Sequence, residues 1–281
     1  MSPIAIMISG LPGKVAETIA EHIVNSQEYR LVPYSLTGPD ITEEFHEIGS
    51  TSIRLIPPVD RGNWIRLIQN EFPHFFVIDF THPSAVNSNA EFYVEQNTPF
   101  VMGTTGGDRD LLEKTVTQGS VPAVIAPNMA EQIVGFQAMM AYAAKQFPDL
   151  FQGFTLEIKE SHQQGKADTS GTAKAMVEYF NAMGVDFDVQ DIQKVRDPQI
   201  QEKEWNIPKE HLSGHAYHTY TLTAPDGSCK FTFSHNILGR RIYVNGSLDA
   251  VRFLARKSAS NRKDTVKMYT MIDVLQGEKG G

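Results

Sequence analysis

The chain has 281 residues, 41% hydrophobic and 21% charged, a composition typical of folded globular proteins rather than disordered chains. Its length suits two domains of about 100–150 residues each. The formal net charge of −8 argues against a duplex nucleic-acid binder or a protein of anionic membranes, since both need a basic excess. Cys229 is the single cysteine, which excludes an intrachain disulfide and a multi-cysteine metal site.

The location predicted from the sequence is the cytoplasm. No apolar run approaches the roughly 20 residues needed to span a bilayer. The first strand-like run begins at Ile4, which leaves no room for a leader ahead of it. If the chain is a mature form without its transit peptide, the plastid stroma becomes the expected compartment.

The first 130 residues alternate between strand-like and helical periods. Short apolar runs predict buried strands over 4–8, 30–35, 75–80, 100–102 and 123–125. Helical spacing predicts helices over 15–23, 64–68, 85–94 and 110–116. This alternation predicts an α/β fold with a doubly wound parallel sheet.

The pattern changes after a predicted helix over 131–146. Apolar and polar residues alternate over 154–160, 218–223 and 229–235, and 224–228 reads as a hairpin turn. A second sheet with one covered face is therefore expected, followed by helices over 249–257 and 266–275.

Small and polar residues end the predicted strands of the first part. The glycine turn from Gly10 to Ala16 follows a buried strand and opens a helix, with the spacing G-x-x-G-x-x-A. Gly10 would permit the tight turn and Gly13 the close approach of a pyrophosphate, which the helix dipole favours. Pro12 lacks an N–H to donate.

The tip of the second predicted strand, 34–38, contains no carboxylate to bind a ribose or to repel a 2′-phosphate. Ser35, Thr37 and Lys14 are the candidate partners of that phosphate. We therefore expect NADPH to be accepted.

Segment 160–173 combines three chemical groups within a few residues. Ser170-Gly-Thr172 at a predicted helix start would offer amide hydrogens and hydroxyls to a carboxylate. Lys166 adds a cation, and His162 adds a group that titrates near neutral pH. The alternative interpretation is that Ser170 and Thr172 only cap the helix.

These motifs resemble the 4-hydroxy-tetrahydrodipicolinate (dihydrodipicolinate) reductase family, in its plant-like branch, over nearly the whole chain. Gln163 stands where many members have a second histidine. The stretches that carry the resemblance are Gly10-x-x-Gly13-Lys14, Val77-Ile-Asp-Phe-Thr81, Gly103-Thr-Thr-Gly106, Ala126-Pro-Asn128, Glu160-Ser-His-Gln163, Lys166-x-Asp168, Ser170-Gly-Thr-Ala173, Ser213-Gly-His-Ala216, His235-Asn236, Gly239-Arg240 and Met271-Ile-Asp-Val-Leu275.

The resemblance implies a Rossmann-like dinucleotide-binding domain made of 1–129 plus 246–281. It also implies an inserted α+β domain, 130–245, for substrate binding and oligomerisation. The implied reaction is reduction by NADPH, with NADH as the alternative, of the cyclic imine that forms when 4-hydroxy-tetrahydrodipicolinate loses water. A homodimer or homotetramer is implied, without a metal.

Residue roles follow from the same resemblance. His162 would be the acid–base residue and Lys166 the proton donor. The substrate would be bound by Gln163, Ser170, Gly171, Thr172 and Arg240. The cofactor would be bound by Gly10, Leu11, Pro12, Gly13, Lys14, Val15, Ser35, Thr37, Phe80, Gly103, Thr104, Thr105, Ala126, Pro127, Asn128 and Met129.

Two other functions stay open at this point. One is a different two-domain nicotinamide-dependent oxidoreductase of an imino or amino acid, which would keep the glycine turn and the strand tips. The other is a non-catalytic dinucleotide sensor, which would have no use for His162 and Lys166 beside an anion site.

Overall fold

The computed structural model describes residues 2–259 and 266–277. Within that part, the chain forms two compact units: unit 1 from Met1–Glu131 and Arg240–Gly281, and unit 2 from Gln132–Gly239. The division expected from the sequence assigned 130–131 and 240–245 to the second segment, whereas these residues belong to unit 1. The functional roles assigned to the two segments stay predictions.

The elements are numbered in chain order over the described residues. The strands are β1 (Ile4–Ser9), β2 (Tyr29–Leu31), β3 (Tyr34–Leu36), β4 (Phe45–Ile48), β5 (Thr51–Ile56), β6 (Phe75–Asp79), β7 (Phe100–Met102), β8 (Ala123–Ile125), β9 (Thr155–His162), β10 (Gln193–Val195), β11 (His215–Thr223), β12 (Lys230–Leu238) and β13 (Met268–Tyr269). The helices are α1 (Lys14–Val24), α2 (Arg61–Glu71), α3 (Val86–Glu95), α4 (Arg109–Thr117), α5 (Glu131–Gln146), α6 (Gly171–Ala182), α7 (Pro198–Lys203), α8 (Ile242–Ala259) and α9 (Met271–Gly277).

Unit 1 contains a six-stranded parallel sheet in the order β13-β8-β7-β6-β1-β2. The inner strands are continuous apolar runs because helices cover both faces of such sheets. Helix α1 buries one stripe at helical spacing, formed by Ala16, Ile19, Ala20 and Ile23. The predicted doubly wound parallel sheet is confirmed.

Three details of unit 1 differ from the sequence expectation. The single strand expected over 30–35 is two strands in different sheets, because Pro33 separates β2 from β3 and has no N–H for a ladder. Strand β3 joins β5 and β4 in a three-stranded sheet that the sequence pattern did not indicate. The helix expected over 266–275 is a short strand, β13, at the edge of the large sheet, followed by α9.

Unit 2 is built on a mixed sheet in the order β10-β9-β11-β12. Strands β9, β11 and β12 pair antiparallel, and β10 pairs parallel with β9. Helix α6 packs a stripe of Ala173, Met176, Val177 and Phe180 into the core of this unit. The expected second sheet with alternating burial is confirmed.

Strand β9 extends two residues further than expected. The alternating pattern predicted its end at Glu160, but Ser161 and His162 continue the ladder, with His162 opposite Ala216 of β11. At the other end of β9, the β11–β12 turn carries Cys229, whose side chain is exposed. None of the helices in the described residues has both the length and the apolarity needed to cross a bilayer.

Candidate functional site

The glycine turn after β1 is closely packed. Gly10 has a φ of +110°, and a Cβ there would collide with the carbonyl of Phe80. A Cβ on Gly13 would lie 2.7 Å from the carbonyl oxygen of Gly10. Glycine is therefore required at both positions, and the turn leads directly into the N-terminus of α1, where unpaired amide hydrogens favour an anion.

A cavity of about 620 Å³ lies beside this turn in unit 1. Gly10 to Gly13, Thr37 and Phe80 line it, so the predicted cofactor residues of the turn face one space. Asp40 and Arg61 also line it, and Arg61 is the lone lysine or arginine among the described lining residues. The volume and the Arg61 guanidinium suit a ligand that carries an anionic group.

The hydroxyls expected to meet a 2′-phosphate are used inside the fold. Leu11 N–H donates to Oγ of Ser35 at 3.3 Å, and Oγ1 of Thr37 donates to the carbonyl of Leu11 at 2.7 Å. Ser35 is fully buried and lies outside the cavity lining. Both side chains therefore fasten the glycine turn to β3 rather than present free hydroxyls.

A second cavity in unit 1, of about 390 Å³, lies at the ends of β1, β6 and β7. The predicted residues Gly13, Lys14, Val15, Phe80 and Gly103 to Thr105 line it. Arg240, predicted to bind substrate, lines the same cavity, so two cations, Lys14 and Arg240, face it. A Cβ on Gly103 would enter the ring of Phe80, which explains the glycine.

Asp79 organises the residues at these strand ends. Its carboxylate is fully buried and accepts hydrogen bonds from the hydroxyls of Thr81 at 2.7 Å, Tyr93 at 2.8 Å and Thr104 at 2.8 Å. Asn89 adds an amide donor at 3.0 Å. Burial raises the pKa of Tyr93, and the Asp79 carboxylate adds to the rise.

The stretch from Ala126 to Met129 lies outside the linings of both cavities. Oδ1 of Asn128 accepts the amide hydrogen of Ala130 at 2.9 Å, and the Met129 carbonyl packs against Gly246 of α8. The predicted cofactor role of these four residues stays a prediction.

In unit 2, the predicted catalytic residues lie along one short segment. His162 is the last residue of β9, and its side chain is buried. Lys166 follows in the loop 163–170, where Nζ pairs with Oδ1 of Asp168 at 2.8 Å. Gln163 begins this loop. Ser170, Gly171 and Thr172 are the N-cap and first two residues of α6.

Ser170 does not cap α6 with its side chain, which is the alternative that the sequence left open. Its hydroxyl makes no cap hydrogen bond, and its backbone N–H donates instead to Oε2 of Glu160 at 3.0 Å. The amide hydrogens of the first turn of α6 therefore remain for another acceptor, in line with the predicted carboxylate site.

Glu160 is the charged centre of this region. Its side chain is fully buried, and one oxygen forms an ion pair with Nη2 of Arg196, the residue after β10. Nε2 of His218 and Nε2 of His162 lie 3.7 and 3.9 Å from the other oxygen. His218 is directly opposite Glu160 in the β9–β11 ladder, and its ring lies edge-on to that of His162 at 5.1 Å.

These contacts determine the charges of the group. Burial favours the neutral form of Glu160, but the contacts with His218, Arg196 and the Ser170 N–H outweigh it and hold the pKa at about 2. Burial, assisted by repulsion from His218, lowers the pKa of His162 to about 4 against the attraction of Glu160. Glu160 is thus anionic and His162 neutral near pH 7.

Glu160, His162 and His218 are the described residues with the donor atoms of a metal site, since one ligand atom from each lies within 4.8 Å of the others. The Arg196 guanidinium already pairs with the carboxylate, which opposes the approach of a cation.

Sequence reasoning missed three members of this site. Arg196 follows a three-residue strand with mostly exposed side chains, which no periodicity distinguishes from a loop. His218 lies in the alternating stretch 218–223, where nothing in the sequence distinguishes it from an ordinary strand residue. Glu160 was named only as part of a motif. Its position two residues before His162 was the available signal, because residues i and i+2 of a strand point to the same face of the sheet.

A doubly wound parallel sheet with a required glycine turn and a second α+β unit define a Rossmann-like, dinucleotide-dependent oxidoreductase. Residues 4–129 match the family described as dihydrodipicolinate reductase, N-terminus, and residues 133–275 match dihydrodipicolinate reductase, C-terminus. The chain belongs to the dihydrodipicolinate reductase family, as the sequence motifs predicted.

Individual relatives agree with the family. The chain is 45% identical over 271 residues to probable 4-hydroxy-tetrahydrodipicolinate reductase 2, chloroplastic, of Oryza sativa subsp. japonica, covering 96% of this chain and 82% of the rice protein. It is 43% identical over 273 residues to 4-hydroxy-tetrahydrodipicolinate reductase 2, chloroplastic, of Arabidopsis thaliana, covering 97% and 77%.

A solved structure shows the same fold. The dipicolinate-bound dihydrodipicolinate reductase from Paenisporosarcina sp. TG-14 superposes with a TM-score of 0.65 at 19% identity, covering 95% of this chain and 97% of that one. At this identity the similarity supports the architecture alone.

Proposed function

We propose that this protein reduces 4-hydroxy-tetrahydrodipicolinate to tetrahydrodipicolinate, with loss of water, in lysine biosynthesis by the diaminopimelate route. The rice and Arabidopsis relatives carry this activity in their names. The observation that carries the proposal is the grouping of His162 and the uncapped start of α6 around buried Glu160, with Lys166 in the loop that joins them. It provides acid–base and anion-binding groups for a dicarboxylate.

The residues of unit 1 fit a nicotinamide dinucleotide. Gly10 and Gly13 leave backbone room that a Cβ would fill, and the N-terminus of α1 favours a pyrophosphate. Lys14 and Arg240 add positive charge to the second cavity. When bound there, the reduced nicotinamide supplies the hydride.

The residues of unit 2 would hold the substrate and move its protons. The amide hydrogens of Gly171 and Thr172, with the hydroxyl of Ser170, would bind one carboxylate. Loss of the hydroxyl as water leaves a conjugated imine, and hydride addition to it creates negative charge. The Lys166 ammonium would neutralise that charge by giving one proton, so that hydride and proton together complete the reduction. Neutral His162 would accept and return a proton.

NADPH is the preferred cofactor in this proposal, and NADH the alternative. The tip of β3 has no carboxylate, as the sequence indicated, and Arg61 supplies a guanidinium at the first cavity. Arg61 donates to Oδ1 of Asn89 at 3.2 Å, which holds its head group at the cavity wall. A guanidinium suits a 2′-phosphate, while Asp40 in the same lining is the group that would favour NADH.

Two further properties stay predictions. A homodimer or homotetramer is expected, and light scattering on the purified protein would measure the mass. The compartment is expected to be the cytoplasm, or the plastid stroma if the chain is a mature form; the names of the plant relatives say chloroplastic.

The test is a coupled assay. A purified synthase generates 4-hydroxy-tetrahydrodipicolinate in place, and the oxidation of NADPH or NADH is followed with and without this protein. Oxidation that depends on both protein and synthase product supports the proposal. If oxidation occurs only with another imino or amino acid from a substrate panel, the alternative oxidoreductase is correct. Dinucleotide binding without turnover of any substrate would indicate the sensor.

A further inference from the structure

Two segments of unit 2 that are distant in sequence meet at one carboxylate. Glu160 lies near the end of β9, and Arg196 follows β10, which pairs parallel with β9. The parallel ladder brings the two side chains together although they are 36 positions apart. The resulting ion pair is buried on the Glu160 side and partly buried on the Arg196 side.

The same two side chains also bind the backbone of loop 163–170. Nε of Arg196 donates to the carbonyl of Lys166 at 2.8 Å, and Nη2 reaches the carbonyl of Asp168 at 3.4 Å. Glu160 accepts the amide hydrogen of Ser170 at 3.0 Å. The pair therefore contacts the loop backbone at Lys166, at Asp168 and at Ser170, the N-cap of α6.

Charge neutralisation alone would not need this geometry. A lysine opposite Glu160 would balance the carboxylate equally well, but a single ammonium cannot reproduce a planar fork aimed at two carbonyls. The uncompensated carboxylate would also repel an anionic substrate from the first turn of α6. Arg196 thus combines two effects: it removes that repulsion and it fixes the loop.

We propose that Glu160 and Arg196 form a positioning pair, which fixes loop 163–170 so that the amide hydrogens at the start of α6 bind one carboxylate of the substrate and Lys166 is held where it can give its proton. The inference rests on the proposed function for the identity of the substrate. The pair acts through the loop, because its hydrogen bonds reach the backbone of Lys166, Asp168 and Ser170.

The decisive variant is Arg196→Lys, which keeps the charge and removes the fork. The probe is dipicolinate, an aromatic dicarboxylate, and its dissociation constant is measured by calorimetry. We expect it to rise roughly ten- to a hundred-fold, because small displacements of binding groups have effects of this size. The dissociation constant of NADPH should be unchanged. The matched control is Glu157→Gln, which breaks the exposed Glu157–Lys159 pair of the same strand.

A second measurement needs no ligand. Hydrogen exchange of the peptide covering 163–172, followed by mass spectrometry, should be at least about ten-fold faster in Arg196→Lys than in the wild type and unchanged in Glu157→Gln. Glu160→Gln, which keeps an acceptor for Ser170 but loses the ion pair, should show the same direction and serves if Arg196→Lys does not fold.

The outcomes separate the inference from the function. If Arg196→Lys binds dipicolinate within about two-fold of the wild type, the positioning role is wrong. If the wild-type protein binds no dicarboxylate, the proposed function fails. The positioning role is then tested by hydrogen exchange alone: an unchanged exchange rate of peptide 163–172 in Arg196→Lys would show that the pair does not fix the loop.

Discussion

The hydroxyl of Thr104 donates to Oδ1 of Asp79 at 2.8 Å, and this contact joins the loop after β7 to the end of β6. Asp79 is fully buried and receives hydrogen bonds from three further side chains, so it acts as a fixed anchor. The residues next to Thr104 line the second cavity of unit 1. This contact therefore helps to hold the part of the cavity wall that the loop after β7 forms.

Thr104→Val should raise the Michaelis constant for NADPH about five- to ten-fold. The substitution keeps the volume, removes a hydrogen bond worth about 1 kcal/mol, and releases the loop after β7. Steady-state kinetics with varied NADPH measure the effect. The control is Thr98→Val, which removes another buried hydroxyl of unit 1 outside both cavities. Equal effects of the two substitutions would contradict a specific role for Thr104.

Lys166→Ala and His162→Ala should each lower kcat by about 10²–10⁴-fold while NADPH still binds, since each removes a group that moves a proton. Turnover under saturating substrate and fluorescence titration with NADPH give the two quantities. Lys174→Ala, which removes an exposed lysine from α6, is the control for the loss of a cation near the site. Full activity of both variants would contradict the proposed proton-transfer roles of Lys166 and His162.

Arg61→Gln should lower kcat/KM for NADPH about ten-fold or more and leave kcat/KM for NADH nearly unchanged, because NADH lacks the 2′-phosphate that the guanidinium would bind. The ratio of the two values, measured with one enzyme preparation, is the relevant quantity. Arg66→Gln on the same helix, outside the first cavity, is the matched control. A ratio that does not change in Arg61→Gln would place the phosphate elsewhere.

The stability of unit 2 should decrease as the pH falls from about 6.5 to about 4. The pKa of His162 is lowered to about 4 in the folded protein, so in this range the unfolded chain binds more protons and unfolding becomes easier. One such group changes the free energy of unfolding by up to about 1.4 kcal/mol per pH unit. Burial also lowers the pKa of His235 to about 4, and this histidine adds to the effect.

Urea unfolding at several pH values measures this slope. Trp64→Phe leaves Trp205 of unit 2 as the one tryptophan of the sequence, so its fluorescence reports on the relevant unit. In that background, His162→Gln should give a shallower pH dependence, whereas His22→Gln, which alters an exposed histidine of α1, should not. Parallel slopes for all three proteins would disprove the assignment.

The sequence predicted well the elements whose period is long or whose run is apolar throughout. Helix α5 was predicted at its observed bounds, and the alternation of the first half indicated the parallel sheet. Pro33 shows the limit: a run that looks like one strand belongs to two sheets, because the proline interrupts the ladder between β2 and β3.

In the candidate site too, residues that are contiguous in sequence could be predicted, and those brought together by strand pairing could not. The short segment from His162 to Thr172 could be identified because its chemistry is contiguous. The Glu160–Arg196 pair could not, because it exists only through the parallel pairing of β9 and β10, and a three-residue edge strand leaves no periodic signal. Ser35 and Thr37 were predicted as phosphate partners from their place at a strand tip without a carboxylate, and that role stays a prediction. Their hydrogen bonds to the backbone of the glycine turn could not be predicted from the sequence.

Cys229 has a practical consequence. It is the lone thiol of the sequence and is exposed at the β11–β12 turn opposite Ala224, eight residues along β11 from Ala216, the partner of His162, or about 26 Å at the rise of a strand. A maleimide dye or nitroxide attached there would therefore mark unit 2 at a single chemical position away from His162, for which the acid–base role is proposed. Spectroscopists thus have a ready reporter, with no need to engineer cysteines in or out.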